Sequence, residues 1–183
     1  MLSPASPVCC VLCVLVVEDS QSTSKMISYL LTRHYSYRCT IAGSYEEALQ
    51  HLSSPWDLLV VDVCLPGSSA TPTGLRVPAA TGLELVRAVR AHEEQQGWRP
   101  QCIVAMSADD SYRQAAEEAG CSEFVYKYDK PVEQILRICV AVSQAKVSVH
   151  CGRDIHGHSS DELVVLLAAH TMLLKRIIQV PVS

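Results

Sequence analysis

Short apolar runs rich in Val, Leu and Ile alternate with segments of helical period along most of the chain. Five runs have the length of strands: residues 11–17, 37–42, 58–63, 102–107 and 123–127. Because these runs are apolar almost throughout, they indicate strands buried on both faces, as in a parallel sheet. The segments between them supply covering helices. The pattern therefore predicts a doubly wound α/β domain with the element order βαβαβαβαβα.

The helical segments carry start and stop signals of their own. Ser44 and Glu47 form a capping box that begins the second helix. Gly120 is suited to end the fourth helix, and Pro131 suits the first turn of the fifth. Apolar faces are expected on the first helix (Met26, Ile27, Leu30, Leu31) and on the third (Leu83, Leu85, Val86, Val89).

Length and charge restrict the function classes. A chain of 183 residues is long enough for one domain with extra segments, but too short for two ordinary domains. The formal charge is −4, and Lys and Arg form no run. This composition argues against binding to nucleic-acid phosphate or to anionic lipid.

Cysteines and the N-terminal stretch indicate the compartment. Nine cysteines lie mostly within apolar runs, which is typical of reduced core residues in an intracellular protein. The apolar stretch 8–17 has no preceding Lys or Arg and runs into an acidic pair, so it predicts a strand rather than a signal peptide. No apolar run reaches the roughly 18 residues of a membrane span. We therefore expect a cytoplasmic protein.

Carboxylates follow two of the predicted strands. Glu18 and Asp19 come directly after the first strand, and Asp62 stands at the end of the third. Ligands of open α/β sheets bind outside the carboxyl ends of the strands. If these two strands are neighbours, three carboxylates converge, and their repulsion calls for a cation. Mg²⁺, a hard cation with oxygen ligands, fits that need.

Six motifs, in the same order along the chain, resemble those of the receiver domain of two-component response regulators. The resemblance covers about residues 11–145. They are VLVVEDS (14–20), LLVVDV (58–63), TGLELV (81–86), IVAMSAD (103–109), AGCSEFVYK (119–127) and KPVEQIL (130–136). The resemblance implies a flavodoxin-like fold whose parallel sheet has the strand order 2-1-3-4-5. It also implies a signalling switch rather than an enzyme, although such a switch supports its own phosphoryl transfer and autodephosphorylation.

The resemblance assigns the phosphoacceptor and the metal ligands. Asp62 would take a phosphoryl group from a histidine kinase or a histidine phosphotransfer protein. Glu18, Asp19 and Asp62 would hold Mg²⁺ together with the backbone carbonyl of Cys64. A carboxylate needs no general base to attack phosphorus, so the residue types suit this chemistry.

Further residues would report the phosphorylated state. Ser107 is expected to bind a phosphoryl oxygen, and Phe124 stands where the family keeps its reporting aromatic residue. The face formed by helix 4, strand 5 and helix 5 would then signal to a downstream protein of unspecified identity.

Two lysines compete for the remaining phosphoryl contact. The number of residues that the family keeps between this glycine and its lysine, counted from Gly120, selects Lys127. The Lys-Pro dipeptide of the family is instead matched by Lys130 and Pro131. We favour Lys127, because the same count sets the strand and the aromatic residue.

Two segments depart from the family pattern. Residues 66–81 form a long loop rich in Gly, Pro, Ser and Thr. Residues 146–183 form a linker followed by an apolar helix over 159–179, which would cover the domain, pair with its copy in a homodimer or bind another protein. The tail is too short for a winged-helix output domain and too weakly basic for DNA contact. The chain is thus a stand-alone receiver or a piece of a hybrid kinase.

Two other function classes stay open. An unphosphorylated pseudo-receiver would serve as a protein-binding module, and failure to bind Mg²⁺ would favour it. A phosphatase of the haloacid dehalogenase class also uses an Asp nucleophile after a strand, but it requires a second Asp two residues later, where Cys64 stands.

Overall fold

The computed structural model describes residues 11–35, 37–65 and 81–151. Strands and helices alternate in this part of the chain, as the apolar pattern predicts. The strands are β1 (Cys13–Val17), β2 (Arg38–Ala42), β3 (Leu58–Asp62), β4 (Cys102–Ser107) and β5 (Glu123–Tyr126). The helices are α1 (Gln21–Tyr35), α2 (Tyr45–Gln50), α3 (Thr81–Gln96), α4 (Arg113–Ala119) and α5 (Pro131–Cys151). A 3₁₀ turn at Asp110–Tyr112 precedes α4.

The five strands form one parallel sheet in the order β2-β1-β3-β4-β5. This is the predicted 2-1-3-4-5 order, and the predicted fold class is confirmed. The register aligns Val17 with Val61 and Asp62 with Met106. The carboxyl ends of β1, β3 and β4 therefore meet at one edge of the sheet.

Both faces of the sheet are buried, which explains why the central strands are apolar throughout. Alternate residues of each strand enter two separate cores. One core packs the sheet against α2, α3 and α4, with Leu15, Val17, Leu59, Val61, Ile103, Leu85, Val86 and Val89 among its members. The other packs it against α1 and α5, with Val14, Val16, Leu58, Val60, Ile27, Leu31, Ile135 and Leu136. Burial of these side chains, at about 25 cal/mol per Å² of apolar area, is the main force that holds the layers together.

The helix signals behave as predicted, with one difference. Ser44 Oγ accepts the amide of Glu47 at 3.1 Å, and Glu47 Oε2 accepts the amide of Gly43 at 2.7 Å. Gly120 ends α4 in the left-handed region at φ 96°, and α5 begins at Pro131. Met26 was expected on the buried face of α1 but is 47% exposed. That face is centred on Ile27 and Leu31, four residues apart.

The fifth helix extends beyond the predicted end of the domain. It reaches Cys151, so the first residues of the predicted linker are helical. Neither Gly nor Pro occurs between Pro131 and Gly152 to stop the helix. The chain divides into two units, residues 1–146 and 147–183. Residues 66–80 of the loop predicted over 66–81, and the helix predicted for 159–179, lie outside the described residues. Among the helices of the described part, none is long and apolar enough to cross a membrane.

Candidate functional site

Three carboxylates meet at the carboxyl edge of the sheet. Glu18 follows β1, Asp62 ends β3, and these two strands are neighbours. Carboxylate oxygens of Glu18, Asp19 and Asp62 all lie within 4.8 Å of one another. Glu18 is 2% and Asp62 4% exposed, whereas Asp19 is exposed. The predicted convergence of these side chains is therefore present in the fold.

Lys127 offsets the charge of the two buried carboxylates. Its Nζ lies 2.8 Å from Asp62 Oδ2 and 2.8 Å from Glu18 Oε2. The residue follows β5 and is fixed by its amide, which donates to the carbonyl of Ser107 at 2.8 Å. Lys130, the alternative from the dipeptide, is exposed and adopts a positive φ of 44° just before Pro131. The structure thus brings Lys127, and not Lys130, to the carboxylates.

The electrostatics of the pocket reflect burial in the presence of opposite charges. Burial raises the pKa of Glu18, and the charge of Asp62 adds to this effect. The hydrogen bond and charge of Lys127 and the amide of Ser20 oppose it. Burial alone would lower the pKa of Lys127, but its hydrogen bonds with Asp62 and Glu18 and their charges outweigh burial, and the pKa of Lys127 is raised. Lys127 is therefore a charged ammonium in this site.

Ser107 lies at the same edge of the sheet, because it is the last residue of β4. It is 1% exposed, and its Oγ accepts the amide of Asp109 at 3.0 Å. Asp109 in turn caps the 3₁₀ turn through the amide of Ser111 at 2.9 Å. A serine at this position could also serve as the N-cap of the fourth helix. The side chain that caps the turn before α4 is instead that of Asp109.

Phe124 lies within β5, opposite Ala105 of β4, and Cys64 follows β3. Phe124 is 8% exposed and belongs to the core beneath α4, with the guanidinium carbon of Arg113 4.7 Å from its ring centroid. Cys64 is exposed in the turn after β3, and its amide donates to Asp62 Oδ1 at 3.2 Å. Burial and the charge of Asp62 raise the pKa of its thiol. The role of the Cys64 carbonyl stays a prediction.

Gly82 supports the site, a role that was not predicted from the sequence. A Cβ on this residue would lie 1.9 Å from the backbone oxygen of Asp62 and 2.9 Å from Val63 Cα. The amide of Gly82 donates to the carbonyl of Val63 at 3.1 Å. Only Gly allows α3 to begin this close to Asp62. The available signal was a Gly in the first turn of a helix, where its low propensity needs a reason.

The donor set fits a hard divalent cation. Its side-chain donors are carboxylate oxygens, which Mg²⁺ prefers. Glu18 Oε2 is buried and, among the described residues, faces the ammonium of Lys127 at 2.8 Å. A carboxylate oxygen has two lone pairs, so Oε2 can bind a metal ion as well as the ammonium.

Comparison with known proteins agrees with this geometry. The family model of the response regulator receiver domain matches residues 14–138. The chain belongs to this family. Receiver domains are signalling modules of phosphorelays rather than classical enzymes, and their partners are histidine kinases or phosphotransfer proteins.

Individual relatives are more distant. The chain is 26% identical over 117 residues to hybrid signal transduction histidine kinase E of Dictyostelium discoideum. The match covers 62% of this chain but only 6% of the kinase.

Solved receivers share the fold. Chemotaxis protein CheY4 of Vibrio cholerae matches with a TM-score of 0.57 at 24% identity, covering 72% of this chain and 98% of CheY4. Response regulator TrrA of Thermotoga maritima, solved in complex with Mg²⁺–BeF, matches with a TM-score of 0.56 at 22% identity. This match covers 72% of the present chain and 99% of TrrA.

Proposed function

We propose that the protein is a phosphoacceptor switch in which Asp62 accepts a phosphoryl group from a phosphohistidine donor. One observation carries the proposal: Asp62 is buried within 4.8 Å of two other carboxylates and 2.8 Å from the ammonium of Lys127. A purely structural Asp would not need a cluster of this charge at the end of a strand. The family match supports the same chemistry.

Asp62 is the nucleophile. An ionised carboxylate oxygen forms the new bond to phosphorus while the bond from phosphorus to the donor imidazole nitrogen breaks, and the electron pair of that bond stays on the imidazole. Lys127 pairs with a phosphoryl oxygen, and the hydroxyl of Ser107 donates to another. These groups are placed where negative charge develops, so they would stabilise the transfer.

Glu18, Asp19 and Asp62 would hold Mg²⁺, with the Cys64 carbonyl as a further ligand. When bound, the ion supplies charge neutralisation for the carboxylates and the phosphoryl oxygens. The Mg²⁺–BeF complex of TrrA supports this assignment. Glu18 has a stronger claim than Asp19 to direct contact, because Glu18 is buried beside Asp62 whereas Asp19 is exposed.

The signal would leave the site through Ser107. Its hydroxyl oxygen accepts the amide of Asp109, so a movement of Ser107 toward a phosphoryl group would be transmitted to Asp109. Asp109 caps the turn that leads into α4, and Phe124 lies in the core beneath that helix. We infer that α4, β5 and α5 form the face that a downstream protein reads.

The domain boundaries and partners follow from the same proposal. We assign residues 11–145 to the receiver and 146–183 to a linker and an apolar helix that would pair in a homodimer or bind a protein. The donor is a histidine kinase or a histidine phosphotransfer protein. The match covers only a small share of the Dictyostelium kinase. Two alternatives therefore remain for the whole protein: a stand-alone receiver, or a receiver that is part of a hybrid kinase.

The direct test is incubation with acetyl phosphate and Mg²⁺, followed by intact mass. We expect a gain of one phosphoryl group in the wild type and in Asp129→Asn, a matched change at an exposed Asp. The gain should be absent in Asp62→Asn and in the presence of EDTA. No gain under conditions that label an established receiver would favour the pseudo-receiver, and an equal gain in Asp62→Asn would refute the assignment of the acceptor.

A further inference from the structure

A buried polar cluster lies away from the phosphoacceptor, at the junction of α3, α4 and the start of β4. Arg90 on α3 is at its centre. Its Nε and Nη2 donate to the carbonyl of Gly120 at 3.0 and 2.8 Å. Its Nη1 donates to the carboxylate of Glu93 at 2.9 and 2.8 Å and to the carbonyl of Gln101 at 3.0 Å. The planar guanidinium thus joins three separate elements.

The partners of Arg90 are themselves held in place. Glu93 is 4% exposed, and its Oε1 also accepts the amide of Gln101 at 2.7 Å and Gln101 Nε2 at 3.0 Å. Buried, charge-assisted hydrogen bonds are shorter and stronger than neutral ones. The cluster therefore forms a rigid anchor.

Gly120, the residue that Arg90 binds, ends α4. Its φ of 96° favours Gly, and a Cβ there would lie 3.3 Å from Arg90 Cγ and Nε. The amide of Cys121 closes the helix end by donating to Ala116 at 3.0 Å, and that of Ser122 donates to Ile103 at 2.7 Å. The C-terminal end of α4 is consequently fixed to the sheet and to α3.

The N-terminal end of α4 is held by side-chain contacts, with Arg113 over the ring of Phe124 and Tyr112 packed against the core, rather than by an anchor to α3. Its N-cap residue, Tyr112, makes no side-chain cap hydrogen bond, and residues 108–111 are exposed. The helix buries only Ala116 and Ala119, whose small side chains resist rotation weakly. Between the switch hydroxyl and the helix lie only the Asp109 cap and one 3₁₀ turn.

We propose that Arg90 is a positioning residue that makes Gly120 the fixed pivot of α4, so that phosphorylation at Asp62 swings only the N-terminal end of the helix. This inference rests on the proposed phosphoacceptor function. With seven residues, α4 is about 10 Å long, and a displacement of about 1 Å at one end would tilt it by about 6°. The output surface would thus change in direction while the α3–α4 contact stays in place.

Backbone amide exchange on the full chain tests the pivot. The variants are Arg90→Met and the matched control Arg87→Met, which changes an exposed Arg on the same helix. In the resting protein, Arg90→Met should speed exchange at Gly120 and Cys121 by about tenfold or more and leave Ser111 and Tyr112 within about twofold. Arg87→Met should change neither end. An equal rise at both ends in Arg90→Met, or no rise, would overturn the pivot even in a chain that takes no phosphoryl group.

The second measurement compares each protein with and without beryllofluoride and Mg²⁺. The wild type should change exchange at residues 107–112 and not at 117–121, whereas in Arg90→Met the change should spread into 117–121. Loss of packing alone would not create this spread of the change into 117–121, because it would affect exchange equally with and without beryllofluoride. Equal changes in both segments of the wild type would overturn the pivot. Failure of the separate acetyl phosphate assay would refute the phosphoacceptor instead. Where Arg90→Met does not fold, the double variant Arg90→Met with Glu93→Gln removes the unpaired buried charge and is measured in its place.

Discussion

Replacing Gly82 by Ala tests how closely α3 and the phosphoacceptor strand are packed. The new Cβ would lie 1.9 Å from the carbonyl oxygen of Asp62, whereas real Cβ atoms essentially never approach closer than 3.0 Å. The obstacle is backbone on both sides, so no side-chain rotation relieves it. The start of α3 or the end of β3 must move by about 1 Å.

Two effects of opposite sign set the magnitude. Overpacking of this kind costs about 3 kcal/mol, while Ala in place of Gly within a helix contributes about 1 kcal/mol. We therefore expect a net loss of about 2 kcal/mol in the free energy of unfolding. Because the displaced atoms belong to Asp62, the rate of labelling by acetyl phosphate should fall as well.

Two glycines serve as controls in the same urea titrations. At Gly43 the Cβ would meet only Glu47 Oε2 at an ordinary 3.5 Å, so Gly43→Ala should change stability by less than about 0.5 kcal/mol. At Gly97 nothing lies within 4 Å but φ is 64°, so Gly97→Ala should cost about 1 kcal/mol. If Gly82→Ala is no more destabilising than Gly43→Ala and leaves labelling unchanged, the close approach of α3 to the site is wrong.

Three further predictions concern charge, metal and thiols. Lys127→Met removes the cation beside Glu18 and should lower the free energy of unfolding by about 3 kcal/mol in EDTA, a loss that Mg²⁺ should mostly restore. Lys130→Met, the control, should lower it by less than about 0.5 kcal/mol. Urea titrations in both buffers check this, and equal losses of stability in the two variants would contradict the site geometry. Mg²⁺ should raise the unfolding temperature, and Glu18→Gln should weaken its apparent affinity by at least about tenfold in a thermal-shift titration; an unaltered titration would exclude Glu18 as a ligand. Cys139 is fully buried, and burial raises its pKa to about 12, whereas Cys64 is exposed. A thiol reagent should therefore reach and label Cys64 while leaving Cys139 unlabelled; peptide mapping that finds both labelled equally would refute the burial of Cys139.

The fold was predictable because the local signals agree with one another. Apolar runs without alternation, the capping box at Ser44 and the stop at Gly120 all follow from short stretches of sequence, and the structure has each of them. Met26 was misplaced because periodicity defines an apolar stripe but not the angle at which a neighbouring helix covers it. The end of α5 was not predicted, because the extent of the family resemblance, and not a helix stop signal, set the domain boundary at residue 145.

The candidate site was predictable in part. Strand-end residues such as Glu18 and Asp62 are brought together by sheet topology alone, so the order of the strands was enough. The choice of Lys127 depended on counting residues along a strand, which holds while the strand stays regular. Arg90 gave no comparable signal. Its partners are mostly backbone carbonyls and a carboxylate one turn away, and such contacts leave no pattern in the sequence.

Chemical trapping of the phosphorylated residue is the most direct measurement of the central claim. Borohydride reduces an aspartyl phosphate to homoserine, and peptide mass spectrometry then identifies the converted position. After treatment with acetyl phosphate and Mg²⁺, we predict homoserine at residue 62 and at no other Asp. Conversion at Asp19 or elsewhere, or a phosphoryl group that resists reduction, would contradict the assignment of Asp62 as the acceptor.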